Sequence, residues 1–442
     1  MNAKSLQSYS GLGSTLGVGK SEEYFQRAKA IIPGASQTFS KGYTQFVHGV
    51  APLFLERGLG SHVWDVDGNE YIDYAMALGP VILGHNYAAV TDAVVQQIQK
   101  GTTYSLPHPL EIEVAEELLR CIPNSEMFRF GKNGSDATSG AVRLARAATG
   151  RDVVACCGYH GWQDWYIGTT TRNAGVPKSV RELTKTFSYN DISSLERIFD
   201  EHKEQVAAVV LEPIGVEEPK EDFLAQVREL STKHGAVLIF DEVITGFRLG
   251  LGGAQAHFNV TPDLTCLGKA MGNGFPISAV SGRRELMQLF EKVFFSFTFG
   301  GETASLAAAK ATIHEMRTKP VFEHIWKLGA ELRDGYNSIS RDFGMIRYTE
   351  CIGLAPRSAV MFRDVDGFDS YQLKSLFQQE AIKRGVLFTG GHMVCFSHTP
   401  QDIEITLAVY RDAMKCLAEG ISRGSIEAML QGPPVQPVFR RA

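Results

Sequence analysis

Two residues carry the chemistry of this chain. Lys269 closes the run Pro262, Asp263, Leu264, Thr265, Cys266, Leu267, Gly268, and Gly272 and Gly274 follow it. A lysine at the mouth of a buried strand, among glycines that let backbone come close, is placed to hold an aldehyde as a Schiff base. Upstream, the apolar run 236–240 ends in Asp241 and Glu242. An ionised carboxylate there can keep a heteroaromatic ring nitrogen protonated and make that ring an electron sink.

The elements that position these residues read as strands. Runs 127–130, 153–157, 206–211 and 236–240 are short and nearly continuously apolar, the pattern of strands buried on both faces of a parallel sheet. In such a sheet ligands bind beyond the carboxyl ends of the strands. After 127–130 come Gly131, Lys132, Asn133, Gly134 and Ser135, opening a helix over 136–149 that Gly150 closes. Gly134 and Ser135 would offer amides, a hydroxyl and the positive end of a helix dipole to a phosphate. Taken alone, the loop is equally a turn with a helix cap. After 153–157 comes Tyr159, which could lie flat on a ring and is, by itself, as readily a core aromatic. His160 reads as a structural histidine.

A phosphate loop, a stacking aromatic, an acidic strand end and a lysine, in that order and each at a strand end, point jointly to pyridoxal 5'-phosphate. The rival is the magnesium site of a phosphate-loop ATPase, which an apolar strand ending in Asp-Glu also resembles. It needs Gly, four residues, Gly, Lys and Ser or Thr after a strand. Gly19, Lys20 and Ser21 are present, but the first glycine falls at Ser14 and the stretch follows a tail.

At 442 residues the chain is long enough for about two domains and a large interior. A formal net charge of −5 provides no basic field for nucleic acid or anionic lipid. No apolar run approaches the ~20 residues that span a bilayer, and residues 1–20 lack the apolar centre of a secretory signal. The seven cysteines are scattered, with neither metal-ligand spacing nor a disulfide framework, so no metal and a cytoplasmic location are expected.

The strand and helix alternation predicts an α/β protein. Residues 1–20 read as a flexible tail. Residues 21–85, with a helix over 21–32 and short antiparallel strands near 52–56, 62–65 and 68–72, form part of a small domain. Residues 86–305 make a large cofactor-binding domain. Residues 306–442 complete the small one, with helices over 304–318, 322–338 and 402–419 and a strand over 359–363.

The chain resembles the class III pyridoxal phosphate aminotransferases, most closely the glutamate-1-semialdehyde 2,1-aminomutase branch. The likeness rests on 64–74 (WDVDGNEYIDY), 79–85 (GPVILGH), 142–152 (VRLARAATGRD), 241–248 (DEVITGFR) and 262–269 (PDLTCLGK). It implies fold type I, a large domain with a mixed, mostly parallel sheet plus a smaller α+β domain. It also implies a homodimer with active sites at the interface and an internal aldimine on Lys269. Carried over, Asp241 pairs with the pyridinium nitrogen and Val243 and Tyr159 cover the two ring faces. Gly134 and Ser135 bind the phosphate, and Thr298 reaches the phosphate of the neighbouring subunit's cofactor. Relatives often continue that threonine with Gly, Asn and Pro, where this chain has Gly301, Glu302 and Thr303.

The departures concern substrate. Aminomutases carry an arginine after the first Pro-Gly; here Pro33 and Gly34 lead to Lys41, a point charge without the planar fork that grips a carboxylate. Their Phe-Glu-Ala-Gly stretch is replaced by Thr389, Gly390, Gly391 and His392. The segment from Tyr159 to Val176 looks shorter than the aminomutase lid and carries Trp162 and Trp165. Lys41, Trp162, Trp165 and His392 are candidates for the substrate wall, each equally readable as surface charge or packing. Losing mutase contacts while keeping the cofactor set favours an aminotransferase moving an amino group from a small-molecule donor to an aldehyde, keto acid or keto sugar. The aminomutase is the alternative.

Overall fold

A computed structural model describes residues 17–439 of the chain. Of the tail expected over 1–20, residues 1–16 lie outside the described residues. Gly19 already opens the first helix, Gly19–Ile31.

The larger of two compact units comprises Gly79–Leu83 and Tyr87–Glu323. Its sheet has seven strands: β1 (Met127–Gly131), β2 (Val153–Cys157), β3 (Thr184–Thr186), β4 (Val206–Leu211), β5 (Val237–Asp241), β6 (Leu264–Leu267) and β7 (Ser278–Gly282). Their spatial order is β1-β7-β6-β5-β4-β2-β3. Only β7 runs against its neighbours, pairing antiparallel with both β1 and β6. The carboxyl ends of β1, β2, β4, β5 and β6 therefore share one edge.

Alternation along each strand explains the uninterrupted apolar runs. In β4, Ala208 and Val210 pack with Ala137, Ala141 and Leu144 of the helix Gly134–Thr149. Val209 and Leu211 turn the other way, onto Leu195 and Ile198 of the helix Ile192–Glu201 and Leu224 and Val227 of Phe223–Lys233. Side chains of period two between two helical layers must be apolar on both faces. Each fully buried valine or leucine contributes about 1.5–3 kcal/mol.

The smaller unit comprises the described chain up to Leu78, Gly84–Asn86 and the described residues from His324 onward. Strands Leu55–Leu59, His62–Asp65 and Glu70–Asp73 form an antiparallel meander extended by Val386–Leu387, and Thr349–Ile352, Arg357–Phe362 and Gly391–Met393 form a second sheet. The helix Thr303–Thr318, expected in the small domain, belongs to the larger unit, where it packs on Ala88–Ile98 and Pro109–Leu119. The division at residue 323 falls inside the helix Val321–Asp342. Among the described residues, no helix is long and apolar enough to cross a membrane.

Candidate active site

The site is built at the shared strand edge of the larger unit. The helix expected from Asp136 begins two residues earlier, at Gly134. Asp136 reaches back instead: its carboxylate accepts from the backbone amides of Asn133 at 2.7 Å and Lys132 at 3.1 Å. The Gly134 and Ser135 amides, in the first turn, have no acceptor within the described chain, as expected of helix-start donors that await an anion. Two glycines make room for them. A Cβ on Gly134 would stand 2.7 Å from Val243 Cγ1, and one on Gly161, whose φ is +106°, would stand 2.3 Å from Ser135 Oγ. The Trp162 amide lies 3.4 Å from the same hydroxyl.

Asp241 ends β5 with 5% of its surface exposed. Its Oδ1 accepts from the Val243 amide at 3.1 Å and its Oδ2 lies 2.8 Å from His160 Nδ1. His160 Nε2 is 3.0 Å from the Cys157 carbonyl. The ring therefore bridges the Asp241 carboxylate and the Cys157 carbonyl through its two nitrogens. The Thr138 hydroxyl donates to the His160 carbonyl at 2.9 Å and the ring lies parallel to Trp165. His160 is thus structural, as expected, and its structural task is to hold Asp241.

Lys269 follows the buried strand β6 with φ +42°, a left-handed conformation uncommon outside glycine. The turn is fixed by Met271 N donating to Gly268 O at 3.1 Å and by Asn273, whose Oδ1 accepts from the Leu83 amide at 2.8 Å. Strained lysine backbone at a strand end, held by its surroundings, marks a position where side-chain direction matters. Gly268 lies against Val243, which also touches Gly134. Tyr159 is half exposed, and its amide donates to Glu212 Oε1 at 2.9 Å.

Open amides, a lysine, a secured carboxylate and an apolar residue between them fit a phosphorylated aromatic aldehyde. The structure brings Gly134, Ser135, Tyr159, Asp241, Val243 and Lys269 to this edge. Thr298 lies in the same unit on an exposed turn, and exposed Trp162 borders Ser135. Trp165 is buried, its indole donating to Ser139 Oγ at 3.0 Å, so it packs the interior.

Lys41 and His392 fall in the smaller unit. Lys41 is exposed in a short helical turn. His392, expected on a substrate wall, is corrected: it is buried, with Nδ1 2.9 Å from Ser358 Oγ and Nε2 3.0 Å from the Tyr410 hydroxyl. Burial pushes its pKa down to about 3, so the ring is neutral.

The sequence profile of the class-III aminotransferases matches residues 44–401. This chain belongs to the class-III aminotransferases. It is 35% identical over 428 residues to a glutamate-1-semialdehyde 2,1-aminomutase of Desulfitobacterium hafniense (strain DSM 10664 / DCB-2), covering 90% of this chain and 98% of that protein. It is also 35% identical over 414 residues to a 3-aminobutyryl-CoA aminotransferase of Cloacimonas acidaminovorans (strain Evry), covering 91% and 98%. Among solved structures, the pyridoxal-phosphate-containing FumI protein of Sphingopyxis sp. MTA144 superposes with a TM-score of 0.85 at 29% identity, over 94% of this chain and 98% of that one.

Two features of this class-III aminotransferase escaped sequence reasoning. Glu212 directly follows the run 206–211, so the strand-end rule applied to its neighbours would have found it. The second is the ion pair between Lys132 of the loop after β1 and Glu302, 3.0 Å apart. Glu302 caps the helix Thr303–Thr318, accepting from Ala304 N at 2.7 Å, Ser305 N at 3.2 Å and Ser305 Oγ at 2.6 Å. Burial raises its carboxyl, but the Ser305 hydroxyl and Lys132 outweigh that and hold it below the usual range.

Proposed function

We propose that this pyridoxal phosphate enzyme transfers an amino group between two molecules: it takes the group from a small-molecule donor, releases the keto product, and passes the group to a carbonyl acceptor. The convergence of Lys269, Asp241 and the open Gly134–Ser135 amides on one strand edge supports the assignment of the chemistry. When bound, the cofactor supplies an electron sink for the carbon that bears the amino group. Lys269 Nζ would hold the aldehyde and serve as base and acid for the substrate proton. Asp241, steadied by His160, would keep the ring nitrogen protonated. Val243 and Tyr159 would pack against the ring, and Gly134 and Ser135 would bind the phosphate.

Transfer between molecules, rather than isomerisation, is supported by what the smaller unit lacks. The segment after Pro33 and Gly34 presents Lys41 rather than an arginine, and residues 389–398 contain no glutamate. The acceptor class we infer is an aldehyde, keto acid or keto sugar.

The functional form we infer is a homodimer in which Thr298 serves the neighbouring subunit's phosphate. An apolar surface of the larger unit supports it: Phe294 is 76% and Leu106 79% exposed, with Phe297, Phe299 and Ile112 also outside. The segments bearing them adjoin, since the Thr303 amide donates to the Thr102 carbonyl at 2.8 Å. Exposed apolar side chains gathered on adjoining segments suit an interaction surface. All seven cysteines are free, six of them buried, which suits the cytoplasm.

Cofactor-loaded protein mixed with single amino donors tests this reading. Conversion to pyridoxamine phosphate with stoichiometric keto product is the expected result. Isomerisation of glutamate-1-semialdehyde with no second substrate would instead establish the aminomutase.

A further inference from the structure

The ion pair between Lys132 and Glu302 ties together two loops that are 170 residues apart in sequence. Lys132 lies in the short connection between β1 and the helix Gly134–Thr149, just ahead of the open Gly134 and Ser135 amides. Glu302 follows the turn that carries Thr298, and it anchors that turn to the helix Thr303–Thr318. The two side chains are only 13% and 17% exposed. At that depth an ion pair is poorly screened, and each charge is costly to leave alone.

We propose that Lys132 and Glu302 are positioning residues for the cofactor phosphate: their ion pair fixes the backbone that presents the Gly134 and Ser135 amides and cancels a carboxylate beside an anion site. This rests on the reading that those two amides and the Ser135 hydroxyl hold the phosphate. The backbone of the loop is already committed inward, because the Lys132 and Asn133 amides both donate to Asp136. The Lys132 side chain ties the loop from outside to the turn before the helix Thr303–Thr318. Without its ammonium, the Glu302 carboxylate that accepts from Ala304 and Ser305 loses its counter-charge next to the loop that carries the phosphate-binding amides. Glu302 in turn needs Lys132, since the carboxylate that caps the helix is otherwise uncompensated.

The test is the dissociation constant of pyridoxal phosphate from the protein, measured by titrating the cofactor-free form, in Lys132→Met, Glu302→Gln, the double variant and Ser135→Ala. Lys132→Met leaves the helix cap in place and is expected to weaken cofactor binding about tenfold, because a poorly screened carboxylate is left uncompensated. Glu302→Gln is expected to weaken it less, because the freed ammonium still attracts the anion. The double variant is expected to bind better than the sum of the single losses predicts, a coupling of several-fold. Melting of the cofactor-free proteins separates positioning from folding: a merely structural pair would lower the melting temperature and leave the dissociation constant alone. An unchanged constant in Lys132→Met, or additive effects in the cycle, overturns the proposal if Ser135→Ala still weakens binding. If Ser135→Ala is also silent, the phosphate assignment itself is wrong.

Discussion

Replacing Asp241 by asparagine removes one negative charge and almost nothing else. The amide oxygen can still accept from the Val243 amide and the amide nitrogen can donate to His160 Nδ1, so the contacts found at 3.1 Å and 2.8 Å both keep a partner. What disappears is the carboxylate that holds a ring nitrogen protonated. At a separation of ~3 Å and an effective dielectric constant of ~20, two unit charges interact by about 5 kcal/mol. Only the part that grows toward the transition state accelerates the reaction. Taking that as roughly 3–4 kcal/mol predicts a fall in the half-reaction rate of about a hundred- to a thousandfold. Stopped-flow measurement of a single half-reaction under saturating donor reports this directly, with circular dichroism and cofactor content confirming that the fold and loading are unchanged. A variant within tenfold of wild type would refute the role given to Asp241.

Gly161→Ala forces a Cβ to 2.3 Å from Ser135 Oγ in a left-handed backbone, so cofactor affinity should fall roughly tenfold or more by equilibrium dialysis, and unchanged affinity would remove Ser135 from the phosphate site. Burial alone would raise the Asp402 carboxyl, but hydrogen bonds from His62 and the Thr399 amide draw it from 3.8 to about 2. A depressed acid stabilises the fold above its unfolded pKa and loses that contribution as pH falls through the folded value. Asp402→Asn should therefore cost about 2 kcal/mol in urea unfolding at pH 7, and the deficit should close as pH drops from 3.8 toward 2. His62, raised chiefly by its bond to Asp402, contributes below its ordinary value of 6.5 and fades as pH rises beyond its folded value. Replacing Phe294 and Phe299 together by serine should shift sedimentation from dimer toward monomer, because two buried phenylalanines contribute about 2 kcal/mol each; an unshifted boundary places the interface elsewhere.

Strands β2, β4 and β5 were legible because burial on both faces leaves only apolar residues; the ends of β2 and β5 then pointed to Tyr159 and Asp241, and the apolar run of β6 pointed to Lys269. β7 was not legible: Ser278, Ala279, Val280, Ser281 and Gly282 are too small to show a pattern, and the strand is specified by its two partners. The helix start was placed two residues late, because Gly134 and Ser135 read as loop residues, whereas the Asp136 carboxylate folds back over the preceding amides and starts the helix at Gly134. The tie between His160 and Asp241 depends on the spatial order β5-β4-β2, which brings together residues 81 apart in sequence. His392 was mistaken for a pocket residue because its partners, Ser358 and Tyr410, come from other elements.

Borohydride reduction of the cofactor-loaded protein, followed by peptide mapping by mass spectrometry, tests the central claim most directly, since reduction fixes the cofactor to whichever amine carries it. The phosphopyridoxyl group should appear on Lys269 alone, and Lys269→Ala should yield a folded protein with no label. Label on another lysine, or stoichiometric label in the Lys269→Ala variant, would contradict the account.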